Sequence, residues 1–174
     1  QGLDTLQVTA SFFRSASLLE VVLNQPLVPW TSLVPFSITP SLRIDSAWVF
    51  SSGRRIGIAL ASPARTSTPY MLRVTSLNPC VGEPAGFEVE VVLAEAASKG
   101  ELILNEVLLD PKSGDPKFVE IHNPTAKYLS LENWALSSIN EAGALQQLRL
   151  VGVEGDKIAP ESYVALTVDP ERLR

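Results

Sequence analysis

The stretch FVEIHNPTAKYLSLENWALSS, residues 118–138, decides the fold of this chain. It contains His122, the only histidine among the 174 residues, together with two glutamates and two asparagines. A metal site or an acid/base pair would need the same kinds of side chain. The first question is therefore whether these residues serve chemistry or belong to the strands of a β-sandwich.

Side chains in a β-strand alternate between the two faces of its sheet. In the segment FVEIHN, Val119 and Ile121 are then predicted to point into a core, whereas Glu120 and His122 point outward. Asn123-Pro124 would end the strand, because proline cannot donate a ladder hydrogen bond. The alternation therefore predicts that His122 is a surface residue of a strand.

The same pattern runs through the whole chain. Short runs rich in valine, leucine, isoleucine and phenylalanine alternate with turn residues at intervals of about 8–12 residues, which is typical of all-β sandwiches. Thirteen prolines and ten glycines are spread along the sequence and disfavour long helices. We predict an all-β fold with two consecutive immunoglobulin-like β-sandwich domains, the second of them incomplete.

The first half contains the clearest strand predictions. A β-hairpin is predicted with arms at 44–50 and 55–61, because Gly53 between them can supply the positive φ of a tight turn. Strict alternation of apolar and polar residues predicts two further strands at 68–77 and 87–95.

The best candidate for a domain boundary is AEAASKGE, residues 94–101, which is small and polar and separates two patterned strands. We therefore place a first domain at 1–96 and a second at 97–174. Five strands are predicted after the boundary, at 101–111, 117–124, 128–138, 145–152 and 162–170. A full sandwich needs about seven. We expect that C-terminal strands are missing and that another part or copy of the protein covers the open edge. A start at Gln-Gly without methionine is typical of a processed piece of a longer protein.

Composition and charge exclude several classes of partner. The net charge is −5 and there is no Lys/Arg-rich run, so neither nucleic acid nor an anionic membrane is an expected partner. No apolar run approaches the roughly 20 residues of a membrane span, and direct membrane insertion is not expected. The single cysteine rules out an intramolecular disulfide and leaves the compartment open.

A metal site finds little support in the sequence. His122 has no second histidine, so the zinc ligand sets built on two or three histidines cannot form. Asp110, Asp115 and Glu120 surround a glycine-containing turn and could bind Ca²⁺, but their spacing matches no known calcium loop. The more frequent role of such aspartates is to stabilise a solvated turn.

Nucleophilic catalysis finds less support still. Cys80 lies in a Pro/Gly turn and has His122 as its only conceivable base, so a small apolar plug at one end of a sandwich is the favoured interpretation. Glu88 and Glu90 share one face of a strand and are predicted to face solvent or a partner. We predict no catalytic, cofactor-binding or metal-binding residue and no cofactor.

The three tryptophans offer a binding alternative, because exposed indoles can form a platform for sugars. Trp134, in a predicted strand, is expected in the core. Trp30 follows a proline-rich segment and is expected to be the most exposed of the three, whereas no placement is predicted for Trp48.

Residues 101–174 resemble the lamin-tail domain, an immunoglobulin-like fold found in nuclear lamins and bacterial surface proteins. The resemblance rests on LNEV, FVEIHN, LENWALSS and YVALTV, in this order. The chain stops after TVDPERLR, where the family pattern has further strands. The matching positions are fold signatures, so the resemblance carries over no functional residue.

Residues 1–93 are similar to bacterial immunoglobulin-like domains of S-layer and other envelope proteins, on the segments LLEVVLNQPLV, GRRIGIALASPARTSTPYMLRVTSL and NPCVGEP. The two modules in tandem resemble large exported proteins of the Bacteroidetes type. The resemblance implies a non-catalytic spacer, scaffold or adhesion module located outside the cell or in the envelope.

Two alternatives stay open beside this one. The chain could be a ligand-binding module for a glycan or a protein, assisted by calcium, or an accessory domain of an exported enzyme such as a nuclease. The expected partners are other domains of the same parent chain, and a surface protein or glycan.

Overall fold

The computed structural model describes residues 5–30, 36–112 and 115–172. It divides the chain into two compact units, Gln1–Leu93 and Ala94–Arg174. Both units consist of β-strands, and one short 3-10 helix, Pro170–Arg172, follows the last strand. The predicted all-β fold is confirmed.

Among its described residues the first unit contains seven strands: β1 Val8–Ser15, β2 Leu18–Leu23, β3 Phe36–Thr39, β4 Ile44–Val49, β5 Arg55–Leu60, β6 Pro69–Leu77 and β7 Ala85–Val92. One sheet has the order β1-β2-β5-β4 and the other the order β3-β6-β7, with antiparallel pairing throughout. Their inner faces supply one cluster of buried apolar side chains that includes Leu19, Ile58 and Leu72.

The predicted alternation sorts side chains correctly in the first unit. Tyr70, Leu72 and Val74 of β6 are buried, whereas the residues between them are exposed. The predicted hairpin is formed by β4 and β5, with Gly53 at φ 71° in the turn between them.

The described part of the second unit contains eight strands: β8 Glu95–Ala96, β9 Ile103–Leu108, β10 Phe118–Asn123, β11 Leu129–Ser130, β12 Ala135–Ile139, β13 Leu145–Leu150, β14 Lys157–Ile158 and β15 Ser162–Thr167. They form a sheet with the order β15-β10-β9, a small sheet with the order β14-β11-β8, and the two-stranded hairpin β12-β13. The pairing is antiparallel except between β11 and β8.

The second unit closes its core at one end only. Leu129, Leu131 and Ile158 of the β11 and β14 region are buried together, and Val164 of β15 packs against them. Ile121 of β10, the cross-strand partner of Val164, is also buried. Elsewhere the unit leaves many apolar side chains exposed.

Two features of the second half differ from the sequence prediction. The segment 128–138 was expected as one strand and contains two, because a turn with Asn133 at φ 62° separates β11 from β12. The units separate between Leu93 and Ala94, three residues before the predicted boundary. The expected absence of C-terminal strands stays a prediction.

Candidate functional site

His122 lies on the outer face of the β15-β10-β9 sheet, as the alternation predicts. Its ring stacks on the ring of its cross-strand partner Tyr163, with centroids 4.1 Å apart and planes at 6°. Glu120 lies on the same face and accepts a hydrogen bond from Asn105 Nδ2 at 2.6 Å. These contacts explain His122 and Glu120 as surface strand residues.

The structure does not bring the predicted calcium ligands together. Asp110, Asp115 and Glu120 are all described, and the described part of the chain contains no group of three or more His, Cys, Asp or Glu residues that could hold a metal ion. Ser113 and Gly114, between the two aspartates, where the sequence predicts a turn, lie outside the described residues. The glutamate belongs to strand β10, which separates it from the two loop aspartates.

The expectation that Cys80 is a buried plug is wrong. Its side chain is exposed, and its backbone N–H donates to the carbonyl of Pro26 at 2.9 Å. Pro79 forms a β-bridge with Leu27 and is buried in place of the cysteine. The sequence rule fails here because one residue of offset at a strand end reverses the side that a side chain faces.

The tryptophans also differ from expectation. Trp30 is half-buried against the core of the first unit and packs edge-on against Phe36, with ring centroids 6.0 Å apart. Trp134 is half-buried just before β12 rather than inside a strand. Trp48, for which the sequence made no prediction, is the exposed one, with 37% of its surface accessible.

Trp48 lies across Gly57, its cross-strand partner on β5. A Cβ on Gly57 would overlap Cε2 and Cζ2 of the indole, so only glycine lets the ring lie down on the sheet. Phe50 stands beside it, with ring centroids 5.9 Å apart. The result is an aromatic surface held in place by the sheet beneath it.

A groove of about 750 Å³ runs along this side of the first unit. Trp30 and the 26–29 segment line it opposite β4, and the hydroxyl and carboxyl side chains that line it are Asp45, Ser46, Ser51 and Ser52. Aromatic rings beside hydroxyl and carboxyl groups can stack on a sugar ring and hydrogen-bond its hydroxyls. The signal in the sequence was the Trp48–Gly57 pair across the predicted hairpin.

Asn123 carries a structural role that sequence reasoning missed. It is completely buried, and its Nδ2 donates to the carbonyl oxygens of Lys127 and Ala159 at 2.7 and 2.8 Å. Its Oδ1 accepts hydrogen bonds from N and Oγ1 of Thr125 at 3.0 and 2.7 Å. One side chain therefore joins the turn after β10 to the segment before β15.

Glu20 is a second buried polar residue that the sequence did not single out, with only 3% of its surface exposed. Its carboxylate accepts from Arg55 Nη1 at 3.0 Å and from Arg14 Nε at 3.4 Å. Its cross-strand partners are Phe12 on β1 and Gly57 on β5, so the three residues share one face of the sheet. Because this carboxylate is paired with two guanidinium groups, we assign it a structural role in the sheet.

The start of the second unit is held by an ionic cluster at Lys127. Its Nζ contacts Glu101 Oε1 at 2.9 Å and Glu95 Oε2 at 3.4 Å. The pKa of Glu101 is lowered, first by the hydrogen bond from Ser98 N and then by Lys127. The pKa of Lys127 is raised, first by its hydrogen bond to Glu101. These shifts indicate a structural ion cluster at the surface.

The fold and these surfaces define an all-β protein of immunoglobulin-like units with a groove on the first unit. Residues 95–172 match the family described as Lamin Tail Domain, which covers almost all of the second unit. The predicted lamin-tail resemblance of the second half is thereby confirmed.

Among solved structures, the chain is similar to the N-terminal part of the bacterial S-layer protein SbsC, with 14% identity and a TM-score of 0.49 over 95% of this chain and 41% of that one. The S-layer protein rSbsC(31-844) gives 16% identity and a TM-score of 0.48 over 94% of this chain and 24% of that one. This chain spans less than half of either structure. At such identities and TM-scores, no property of the S-layer proteins is carried over. The search of curated protein sequences finds no match.

Within the described residues, no helix is long and apolar enough to cross a membrane.

Proposed function

We propose that the chain is a non-catalytic structural module of an exported bacterial cell-surface protein, in which it serves as a spacer or an adhesive region. Folds of this class host many activities, so the fold alone does not determine the function of the chain. The observation that carries the proposal is the junction between the two units.

The junction consists of two residues, Leu93 and Ala94. On one side the carbonyl of Leu93 accepts from Ser67 N at 2.9 Å, and on the other side Glu95 N donates to the carbonyl of Tyr128 at 2.8 Å. Flexible linkers are longer and lack such anchoring. Each hydrogen bond anchors the junction to its own unit, so the connecting segment is short, and a short connection is the property that suits a spacer.

The test compares the rotational diffusion of the two units by ¹⁵N relaxation. In the natural chain we expect one common correlation time for both units. A Gly-Ser insertion between Ala94 and Glu95 should separate the two values, whereas the same insertion at Gly143 in the β12-β13 turn should not. Independent tumbling of the units in the natural chain would contradict the spacer role.

Surface location is tested separately. An antibody raised against the chain should label intact cells of the source organism. Labelling that requires cell lysis would contradict the proposed location.

Glycan binding in the first unit is the second candidate, and it would suit either an adhesive region or an accessory module of an exported enzyme. The observation that favours it is the exposed indole of Trp48, held on Gly57 beside Asp45 and Ser46. Aromatic rings held in this way stack on sugar faces, and nearby polar groups fix the orientation of the sugar.

This candidate is tested with a soluble β-1,4-glucan and with chitotetraose, followed by tryptophan fluorescence and calorimetry. Trp48→Ala should abolish binding and Trp48→Phe should retain part of it, whereas Trp134→Ala in the second unit should bind normally. A Gly57→Ala variant, which displaces the indole, should bind as poorly as Trp48→Ala. Equal binding by Trp48→Ala and the natural chain would remove this candidate.

A further inference from the structure

The second unit contains an apolar groove of about 440 Å³, which we call the open groove. Its floor is the inner face of β10 and β15, where Val119 and Leu166 are cross-strand partners. Leu136 and Leu150 of the β12-β13 hairpin form the opposite wall. Leu136 shares one face of the hairpin with its cross-strand partner Arg149, whereas Leu150 is paired with Ala135, and 73% of the Leu150 surface is exposed.

The apolar surface continues beyond the groove. Val107 and Leu104 of β9, the cross-strand partners of Val119 and Ile121, are exposed on the same inner face, Leu104 by 56%. Further exposed apolar residues of this unit are Leu109 and Val168, which line the groove itself, and Ile139, Leu145, Leu148 and Val153. This much exposed apolar side-chain surface in one unit is typical of a site for a macromolecule rather than for a small ligand.

The charges at the groove indicate the chemistry of the partner. Lys117 and Arg149 line it, and none of the described lining residues carries a carboxylate. Within the described residues neither cation forms an ion pair. Two copies of this chain facing each other groove to groove would bring four cations together, which disfavours a second copy as the occupant. Acidic groups beside apolar ones would complement the lining.

The shape of the walls indicates an extended segment. The floor and the opposite wall are strands, so their apolar side chains are spaced at the two-residue repeat of a strand. An extended segment presents its own alternate side chains at the same repeat. The neighbouring strands β9 and β13 each have one strand partner among the described residues, which leaves an edge for backbone pairing.

We propose that the open groove of the second unit binds an extended protein segment with apolar side chains on one face and acidic side chains at its margin. The apolar side chains fill the space between Val119, Leu136, Leu150 and Leu166, and the acidic ones pair with Lys117 and Arg149. This interaction goes beyond a spacer role, because it makes the second unit a docking site for a partner strand.

The experiment uses the full chain and two short synthetic peptides, one alternating valine with glutamate and the other valine with lysine. Methyl NMR should show saturable shifts at Val119, Leu136, Leu150 and Leu166 with the glutamate peptide. The lysine peptide should bind at least about fivefold more weakly, because it places cations against Lys117 and Arg149. The difference should shrink at high salt, since these charges are exposed.

Matched variants locate the effect. Lys117→Glu combined with Arg149→Glu should reverse the peptide preference, whereas Arg43→Glu combined with Arg54→Glu, the same charge change in the first unit, should not. Leu150→Ser should weaken both peptides, and its exposure means that the unit should still fold; Val81→Ser is the control.

Three results would overturn the proposal. They are equal binding of the two peptides, no saturable binding at millimolar peptide, and a concentration-dependent dimer in sedimentation equilibrium that Leu150→Ser abolishes. The last of these would assign the groove to a second copy. None of them bears on the junction measurement, so the spacer proposal stands or falls separately.

Discussion

The first unit buries fifteen apolar residues in one cluster, whereas the corresponding cluster of the second unit, within the described residues, consists of Leu129, Leu131 and Ile158. Large apolar residues that are exposed show the opposite distribution: of those that the structure describes, eleven lie in the second unit and four in the first. Two units with the same kind of strand therefore close their cores to very different extents.

The difference shows that strand pattern and core closure are separate properties. Alternation gives each strand an apolar face, but burial requires a second sheet that covers this face. In the first unit a sheet of four strands lies over a sheet of three. In the second unit the covering strands are short or belong to the hairpin, and polar contacts at Asn123 and Lys127 hold the segments that the core does not.

The largest difference between the two units is expected when one leucine side chain in each unit is truncated. Leu72→Ala should destabilise the first unit by about 2–5 kcal/mol, because the side chain is completely buried. Leu145→Ala in the second unit should change stability by less than about 0.5 kcal/mol, since Leu145 is exposed. Hydrogen exchange read separately for each unit measures both. Similar costs at the two positions would mean that the second core is closed in solution.

Removing the buried side chain of Asn123 in the second unit should have the next largest effect on stability. Asn123→Ala removes the amide donor from the carbonyls of Lys127 and Ala159, of which Ala159 keeps its hydrogen bond from Ser162 Oγ, and should cost about 1–3 kcal/mol. Asn105→Ala, which removes an exposed hydrogen bond to Glu120, is the control and should cost little. Exchange should accelerate in the second unit alone. A loss of stability of only a few tenths of a kcal/mol would show that the hydrogen bonds of Asn123 do not stabilise the unit.

The buried carboxylate of the first unit gives a smaller expected effect. Glu20→Gln should cost about 1–2 kcal/mol, because it weakens two charge-assisted hydrogen bonds but keeps the shape of the side chain. Glu88→Gln, whose partner Arg73 and carboxylate are both well exposed, should be nearly neutral. Denaturant unfolding, followed by NMR resonances of the first unit, measures the loss of stability in both variants. Equal losses would mean that burial of Glu20 does not strengthen its ion pairs.

The smallest expected effect depends on pH. The pKa of Glu101 is lowered in the fold, so its contribution is complete above its unfolded pKa and is lost as pH falls through the folded value. The pKa of Lys127 is raised, so its contribution is complete below its unfolded pKa and is lost as pH rises through the folded value. Glu101→Gln should therefore differ from the natural chain at neutral pH and converge with it in acid. Glu132→Gln serves as the control, and a difference that persists in acid would contradict the cluster.

Much of the fold could be predicted because alternation is a local signal. The β4-β5 hairpin, the buried face of β6 and the outward position of His122 all follow from side-chain period and turn residues. The break between β11 and β12 was missed because a single residue, Asn133, adopts a positive φ there.

The candidate sites were less predictable. Trp30 was expected to be exposed and is half-buried, whereas Cys80 was expected to be buried and is exposed. Both lie outside the regular strands, where no alternation indicates the direction of a side chain. Trp48 becomes exposed through a glycine on the neighbouring strand, and the calcium ligands fail to meet because one of them belongs to a strand.

The sequence by itself determined that this protein is built of strands and which residues share a face, and it placed the boundary between the units within three residues of the observed one. Only the tertiary structure decided which faces are covered, how Asn123 and Glu20 are satisfied, and that a groove lined by Lys117 and Arg149 stays open. The physical reason is distance along the chain: a strand pattern depends on neighbouring residues, whereas covering a face requires strands that are far apart in sequence.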